Sequence, residues 1–431
     1  MVVQTETPVK LLLTPEKHSL VNAFVGKSLE GLRTPAIVID RKLFSQNCAR
    51  MHKKAREWGA TFRAHLKTHK TTEGTKLQLI SEEDRTHAVV VSTMMEAWEV
   101  VESGLVADGT VKDILYGLPV PVNKVADLSA LWDKLEAHGG IMRLLVDHPD
   151  QVRFLEEFES TQQKTRRWSV FVKINGGQNR AGVVPGSQEF SALLDVILKS
   201  PAVNLYGFYG HAGNSYASTS LSEASVFLSQ EVQVVNSAAE YALEAISRLE
   251  QQVIVTQPFV LSVGSTPTAH AASAEARELL SKVLHGVLEL HAGNYPMLDL
   301  QQHHTTLIDH AQISQHVRAT VISYYPGRGA NGKDEALVDA GAIAFSKDTG
   351  PSGIFGEVIG LPWILSRISQ EHGILTSDDA SPTPLKLGST VGIVGQHACL
   401  ITAAYPWYYI VDSDVERGQK VVDIWVPWKG W

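Results

Sequence analysis

Between residues 61 and 290 the chain repeats one alternation eight times: a short run rich in β-branched and aromatic residues, then a helical stretch. The runs fall at 61–66 (TFRAHL), 87–91 (HAVVV), 113–117 (DILYG), 141–146 (IMRLLV), 169–174 (SVFVKI), 204–209 (NLYGFY), 259–263 (FVLSV) and 286–290 (GVLEL). The helical stretches between them include Met95–Gly104, Val122–His138, Glu189–Ser200 and Ser220–Glu250. Alternating strands and helices bury their strands in a parallel sheet covered by the helices. Eight units in this span match the size of a closed (β/α)8 barrel. An open doubly wound sheet shares the alternation. The count of eight, and the lack of a Gly-x-Gly-x-x-Gly turn opening the first helix, favour the barrel.

A further strand, Pro35–Asp40, precedes an amphipathic helix over Leu43–Trp58. Past about residue 290 the texture changes. Leu307–Gln315, Val317–Tyr325, Ala336–Asp339, Thr390–Val394, Leu400–Ala404 and Val421–Val426 are short, strand-like and separated by Gly, Pro and Asp. They predict a mostly antiparallel β domain. The expected organisation is an N-terminal segment and strand (1–40) that pairs with the C-terminal domain, a barrel (41–290) and a β domain (291–431).

Composition narrows the partners. With 38 Lys and Arg against 46 Asp and Glu, the net charge is −8. An acidic chain is a poor match for nucleic acid or an anionic membrane. Two cysteines, Cys48 and Cys399, exclude a disulfide scaffold, and Cys48 falls in the first helix as a packing residue. No apolar run approaches the roughly 18 residues of a membrane span. The opening MVVQTETPVKLLLTPEK has neither a secretory core nor an Arg-rich transit pattern. A cytoplasmic protein acting on a small molecule is the expectation.

In a barrel of this kind, chemistry sits at the C-terminal ends of the strands. The first strand is followed by His65-Leu-Lys67-Thr68-His69-Lys70, the fifth by Asn175-Gly-Gly-Gln-Asn-Arg180. The sixth leads into Tyr209-Gly-His211-Ala-Gly-Asn214-Ser-Tyr216, the seventh into Gly264-Ser265-Thr266, the eighth into Ala292-Gly-Asn294-Tyr295. Gly264-Ser265-Thr266 offers close backbone approach, hydroxyls and a helix N-terminus, which together suit a phosphate. An ordinary helix N-cap explains the same three residues. Lys67 falls at the barrel mouth, where partial desolvation suits an amine to Schiff-base chemistry. Lys70, in the following loop, is the rival. A lysine facing a phosphate site points to pyridoxal 5′-phosphate (PLP).

Arg63-Ala-His65-Leu-Lys67-Thr-His69-Lys70 resembles the Arg-x-His-x-Lys-Thr-His-Lys signature of the D-serine dehydratase and D-threonine aldolase family. Tyr209–Tyr216, Ser262–Pro267 and Glu289–Tyr295 match family segments in the same order, and the likeness runs from about residue 33 to 425. The resemblance implies a fold-type III PLP enzyme with an alanine-racemase-like (β/α)8 barrel and a C-terminal, mostly antiparallel β domain. It implies Lys67 as the Schiff-base lysine and Tyr209 at the pyridine ring. Tyr216, Gly264, Ser265 and Thr266 would surround the phosphate, with Arg180 near the cofactor's phenolic oxygen. A pyridine nitrogen that faces a tyrosine stays largely unprotonated and makes a weak electron sink.

Gln396-His397-Ala398-Cys399-Leu400 reads as strand-like, and positions i and i+2 of a strand share a face. His397 and Cys399 could then hold one ion, and thiolate with imidazole selects Zn²⁺. From the residues alone, a buried Cys beside an unrelated His is the commoner arrangement. The resembled family carries His-x-Cys or His-x-Asp here as its metal site, the Cys form in zinc-dependent dehydratases and the Asp form in aldolases using harder ions. This chain departs from the family just upstream, with Gly395-Gln396 in place of the common Pro-Asn. Glu371-His372-Gly373 matches a family segment to which no role is assigned.

The implied activity is PLP- and zinc-dependent conversion of D-serine to pyruvate and ammonia by a homodimer. Retro-aldol cleavage of D-3-hydroxy amino acids is the alternative. A racemase drawing on Tyr405, Tyr408 or Tyr409, or a non-catalytic PLP carrier, ranks below both.

Overall fold

The computed structural model describes residues 2–11, 13–249, 255–256, 258–278, 280, 283–379 and 382–431. Eight parallel strands close a barrel in sequence order: β2 (Thr61–His65), β3 (Ala88–Val91), β4 (Asp113–Pro119), β5 (Ile141–Val146), β6 (Trp168–Lys173), β7 (Val203–Tyr209), β8 (Phe259–Val263) and β9 (Gly286–Ala292). The seam joins β9 to β2, with Thr61 opposite Glu289 and Ala64 opposite Ala292. The strand β1 (Ala36–Asp40) precedes them. All six residues of β6 and all five of β8 are buried, as strands covered on both faces must be.

The helices pack outside. Asp40 caps the helix Arg41–Glu57 through the backbone N–H groups of Lys42 and Leu43. That helix buries Phe44, Cys48, Met51 and Ala55, one apolar stripe, so Cys48 is a packing residue. The expected helix Ser220–Glu250 runs over Leu221–Ser247; Glu250 lies outside the described residues.

One layer of the barrel interior is apolar: Val90, Leu115, Leu145, Phe171, Tyr209 and Val260. Another is ionic. Arg63, 1% exposed, meets Glu289 through two hydrogen bonds of 2.9 and 3.0 Å and Asp113 through one of 2.7 Å. Arg143 completes the network at 2.7 Å from Asp113, its guanidinium 3.4 Å from the Tyr206 ring centre. Removing one partner of such a network strands the others without water. Arg63→Met is therefore expected to lose about 3–5 kcal/mol of stability, read from its urea midpoint.

The remaining strands are β10 (Gln315–Tyr325), β11 (Glu335–Val338), β12 (Gly356–Val358), β13 (Trp363–Ile368), β14 (Gly373–Ser377), β15 (Thr390–Gly395), β16 (Tyr408–Val411) and β17 (Asp423–Trp425). With β1 they form a nine-stranded sheet in the order β11-β14-β13-β12-β15-β10-β1-β16-β17. Its pairs are antiparallel except β1 with β16. The first strand of the chain thus sits inside the sheet built by the last hundred or so residues.

Two expected strands are something else. Leu307–Gln315 is loop with a short 3-10 turn at His310–Gln312, and β10 begins only at Gln315. Leu400–Ala404 belongs to the helix Ala398–Ala404. Its Leu-Ile-Thr run reads as strand, but the buried carboxylate of Asp299 accepts the Ala398 N–H at 2.8 Å and starts a helix there. This helix meets the end of β2: Thr402 Oγ1 donates to the Thr68 carbonyl at 2.7 Å.

Candidate active site

The C-terminal ends of the barrel strands converge on one cavity. Lys67, Arg180, Tyr209, Tyr216, Gly264, Ser265 and Thr266 all line it, together with His65, Lys173, His211 and His291. Its lining holds three cations, several hydroxyls and no carboxylate. That donor set fits an anionic, phosphate-bearing occupant such as PLP.

Lys67 lies two residues past β2. A Cβ at Gly293 would stand 3.2 Å from Lys67 Cε and 3.2 Å from His65 Cβ, so the bare glycine leaves the lysine its room. Lys70 is committed elsewhere: its Nζ pairs with the buried Glu96 at 3.0 Å. The sequence missed Lys173, the last residue of β6. Its amine donates to the Ile174 carbonyl at 3.0 Å, and burial, reinforced by Arg180 and opposed by Glu231 and Asp147, brings its pKa down to about 8. A lysine ending a barrel strand was a readable signal.

Gly264 has φ +142°, and a Cβ there would come within 2.1 Å of the His291 carbonyl oxygen. Only glycine fits. Ser265 does cap the helix Thr266–Ala271: its N–H donates to Thr268 Oγ1 at 2.8 Å and its hydroxyl accepts the Thr268 N–H at 3.3 Å. The Asn294 N–H reaches Thr266 Oγ1 at 3.2 Å, and Ser215 Oγ lies 2.7 Å from Ser265 Oγ. The cap and the cavity wall are the same residues.

Tyr209 and His291 stack at 4.1 Å with 9° between their planes. Burial, aided by Glu289, pushes the Tyr209 phenol up, so it keeps its proton. The histidines are neutral. Burial, then the charge of Lys67, brings His211 to about 3 and His65 well below its usual value; burial and the neighbouring His211 do the same for His291. Ser262 Oγ donates to Glu289 at 2.8 Å and so accepts the Nδ1–H of His291 at 3.1 Å. His291 Nε2 is left as a buried acceptor without a protein partner.

His397 and Cys399 do come together, though by another geometry than a pleated strand. His397 is the N-cap of the helix Ala398–Ala404 and Cys399 lies in its first turn. His397 Nδ1 is 2.9 Å from Asp348 Oδ2, which leaves Nε2 for a metal. Burial works against charge on His397, but its hydrogen bond to Cys399, with Asp299 and Asp348, raises it to about 9. Burial likewise opposes the Cys399 thiolate, yet His397, Lys67 and Thr68 lower the thiol overall. A thiolate beside an imidazole is the donor chemistry of zinc. Among the described residues no three His, Cys, Asp or Glu side chains are grouped to hold an ion, so an ion at this pair would draw only His397 and Cys399 from them. Cys399 Sγ stands 3.1 Å from the hydroxyl of Thr68, the neighbour of Lys67. A second cavity of about 530 Å³, lined in part by Asp348 and Gln396, shares Tyr216 with the first.

Residues 39–282 match the family described as alanine racemase, N-terminal domain, and residues 314–411 match a serine dehydratase domain. The D-serine dehydratase of Schizosaccharomyces pombe is 46% identical over 429 residues, covering 98% of both chains. The chain belongs to the D-serine dehydratase family. Its two-part architecture is shared with a solved relative. D-threo-3-hydroxyaspartate dehydratase from Delftia sp. HT23 superposes with a TM-score of 0.77 at 28% identity, over 94% of this chain and 100% of its own. Solved variants of a D-threo-3-hydroxyaspartate dehydratase include one with His changed to Ala (TM-score 0.77, 27% identical, 96% of this chain, 99% of its own). Another has Cys changed to Ala and is in the metal-free form (TM-score 0.76, 28% identical, 94% and 100%). The two residues altered stand two apart, the spacing of His397 and Cys399.

In this member of the D-serine dehydratase family, Tyr405 and Tyr408 are buried and bonded within their own chain, to the Ala344 and Thr402 carbonyls. Tyr409 is buried as well. Among the described residues, no helix is long and apolar enough to cross a membrane.

Proposed function

We propose that this protein dehydrates D-serine to pyruvate and ammonia, with PLP held at Lys67 and zinc held by His397 and Cys399. The observation that carries the reading is the 3.1 Å contact between Cys399 Sγ and the hydroxyl of Thr68, the residue next to the cavity's lysine. The relative named D-serine dehydratase and the metal-free Cys-to-Ala variant of the hydroxyaspartate enzyme support it. When bound, PLP supplies an electron sink at Cα and zinc a Lewis acid at the β-hydroxyl.

The chain's own residues do the rest. Tyr216, Gly264, Ser265 and Thr266 would hold the anionic end of the cofactor, and Arg180, in the same lining, would stand near its phenolic oxygen. The Lys67 amine, set free when the substrate's own amine takes its place, would take the Cα proton. Tyr209 keeps its phenolic proton and can donate a hydrogen bond without surrendering it, which leaves a pyridine nitrogen weakly electron-withdrawing. The burden would then fall on the departing hydroxyl, whose Lewis acid His397 and Cys399 would hold, with Asp348 orienting the imidazole. Loss of water leaves aminoacrylate, which hydrolyses to pyruvate and ammonia. On this reading the enzyme is a cytoplasmic homodimer divided at residues 1–40, 41–290 and 291–431.

Product analysis tests it. D-Serine is expected to yield pyruvate, D-threonine to yield 2-oxobutanoate, and L-serine neither. Glycine and acetaldehyde from D-threonine would mean Cα–Cβ cleavage and overturn the assignment.

A further inference from the structure

We propose that Thr68 is a positioning residue for the metal-holding sulfur: its hydroxyl, one residue along from Lys67, donates to Cys399 Sγ and fixes that sulfur against the wall that carries the amine. The inference rests on the reading of His397 and Cys399 as the metal pair. Thr68 is 2% exposed. Its Oγ1 lies 3.1 Å from Cys399 Sγ and 3.3 Å from the Gly293 carbonyl oxygen. One hydroxyl proton therefore faces two acceptors. A sulfur bound to a metal has no proton to give and can only accept. Hydrogen bonds to a charged acceptor are roughly twice as strong as those to a neutral carbonyl, so with metal present the proton goes to sulfur.

The backbone of the same residue takes a second grip. The Thr68 carbonyl accepts from Thr402 Oγ1 at 2.7 Å. Cys399 and Thr402 are three apart on the helix Ala398–Ala404 and share a face. One residue thus docks the metal-bearing helix at two points. Gly293, the other acceptor, is also the bare backbone against Lys67 Cε. Position 68 touches both the sulfur and the lysine's packing surface.

The test uses the full-length protein loaded with Co²⁺, whose thiolate charge-transfer band reports the sulfur directly. Thr68→Val keeps the shape and removes the hydroxyl. It is expected to bind Co²⁺ about 10- to 100-fold more weakly in chelator competition. Its charge-transfer band is expected at longer wavelength, because a sulfur without its hydrogen bond gives up electrons more easily. Thr68→Ser keeps the hydroxyl and is expected to retain the wild-type band and affinity. Should Thr68→Val not fold, Thr68→Ala carries the same expectation. A Val or Ala variant with the wild-type band and affinity overturns the assignment, and so does a Ser variant as impaired as Val. A wild-type Co²⁺ spectrum lacking any thiolate band overturns the metal reading beneath it.

Discussion

Lys67→Ala is expected to yield a colourless protein with no measurable turnover of D-serine, a loss of about 10⁴-fold or more. Three lysines lie near the barrel mouth, and their surroundings separate them. Lys70 holds the buried Glu96 at 3.0 Å, so its amine is already neutralising a carboxylate. Lys173 hydrogen-bonds the Ile174 carbonyl and sits 5.4 Å from the centre of the Tyr209 ring. Lys67 alone among the three has the bare Gly293 beside its stem and Thr68, in contact with Cys399, as its neighbour. Absorbance of the purified variants checks the assignment. Lys70→Ala and Lys173→Ala are expected to keep the yellow cofactor band that Lys67→Ala loses. A coloured Lys67→Ala protein with D-serine turnover would sink the proposal.

The barrel was legible because its signal is local and repeated. Each parallel strand is covered on both faces, so it reads as a continuous apolar run, and the eight observed strands lie within two residues of the runs in the sequence. Lys67, Tyr209 and the Gly264–Thr266 turn could be read for the same reason, since topology alone sends the strand ends to one mouth. What sequence reasoning missed depends on tertiary contact. Nothing within Leu400–Ala404 announces a helix; the capping carboxylate, Asp299, lies about a hundred positions earlier. Asp348, which orients His397, is likewise distant in sequence and sits in a loop. The strand geometry expected for His397 and Cys399 was mistaken, because residues two apart can meet at a helix start as well as along a strand. His65, His211 and His291 stood in view within the motifs. Their neutrality follows from burial and from mutual and lysine charges, which no spacing rule encodes.

Chelation of the purified enzyme is expected to stop D-serine turnover while leaving the cofactor band in place. On the proposed reading the two observables separate, because different residues would hold the two groups: Lys67 with the Gly264–Thr266 turn on one side, His397 with Cys399 on the other. A Lewis acid at a leaving hydroxyl contributes several kcal/mol to the transition state, so the loss is about a thousandfold or greater. Cys399→Ala is expected to match the chelated enzyme and to resist rescue by added zinc. Cys399→Asp is the sharper variant. It exchanges a soft thiolate for a hard carboxylate and is expected to shift the rescuing ion from Zn²⁺ towards Mn²⁺ or Mg²⁺, since hard oxygen ligands favour those ions. Dialysis against a chelator, followed by titration with each metal and a pyruvate assay, reads all three proteins on one scale. Turnover that survives chelation would remove the metal from the reaction, and with it the reason for a cysteine whose thiol is lowered despite burial.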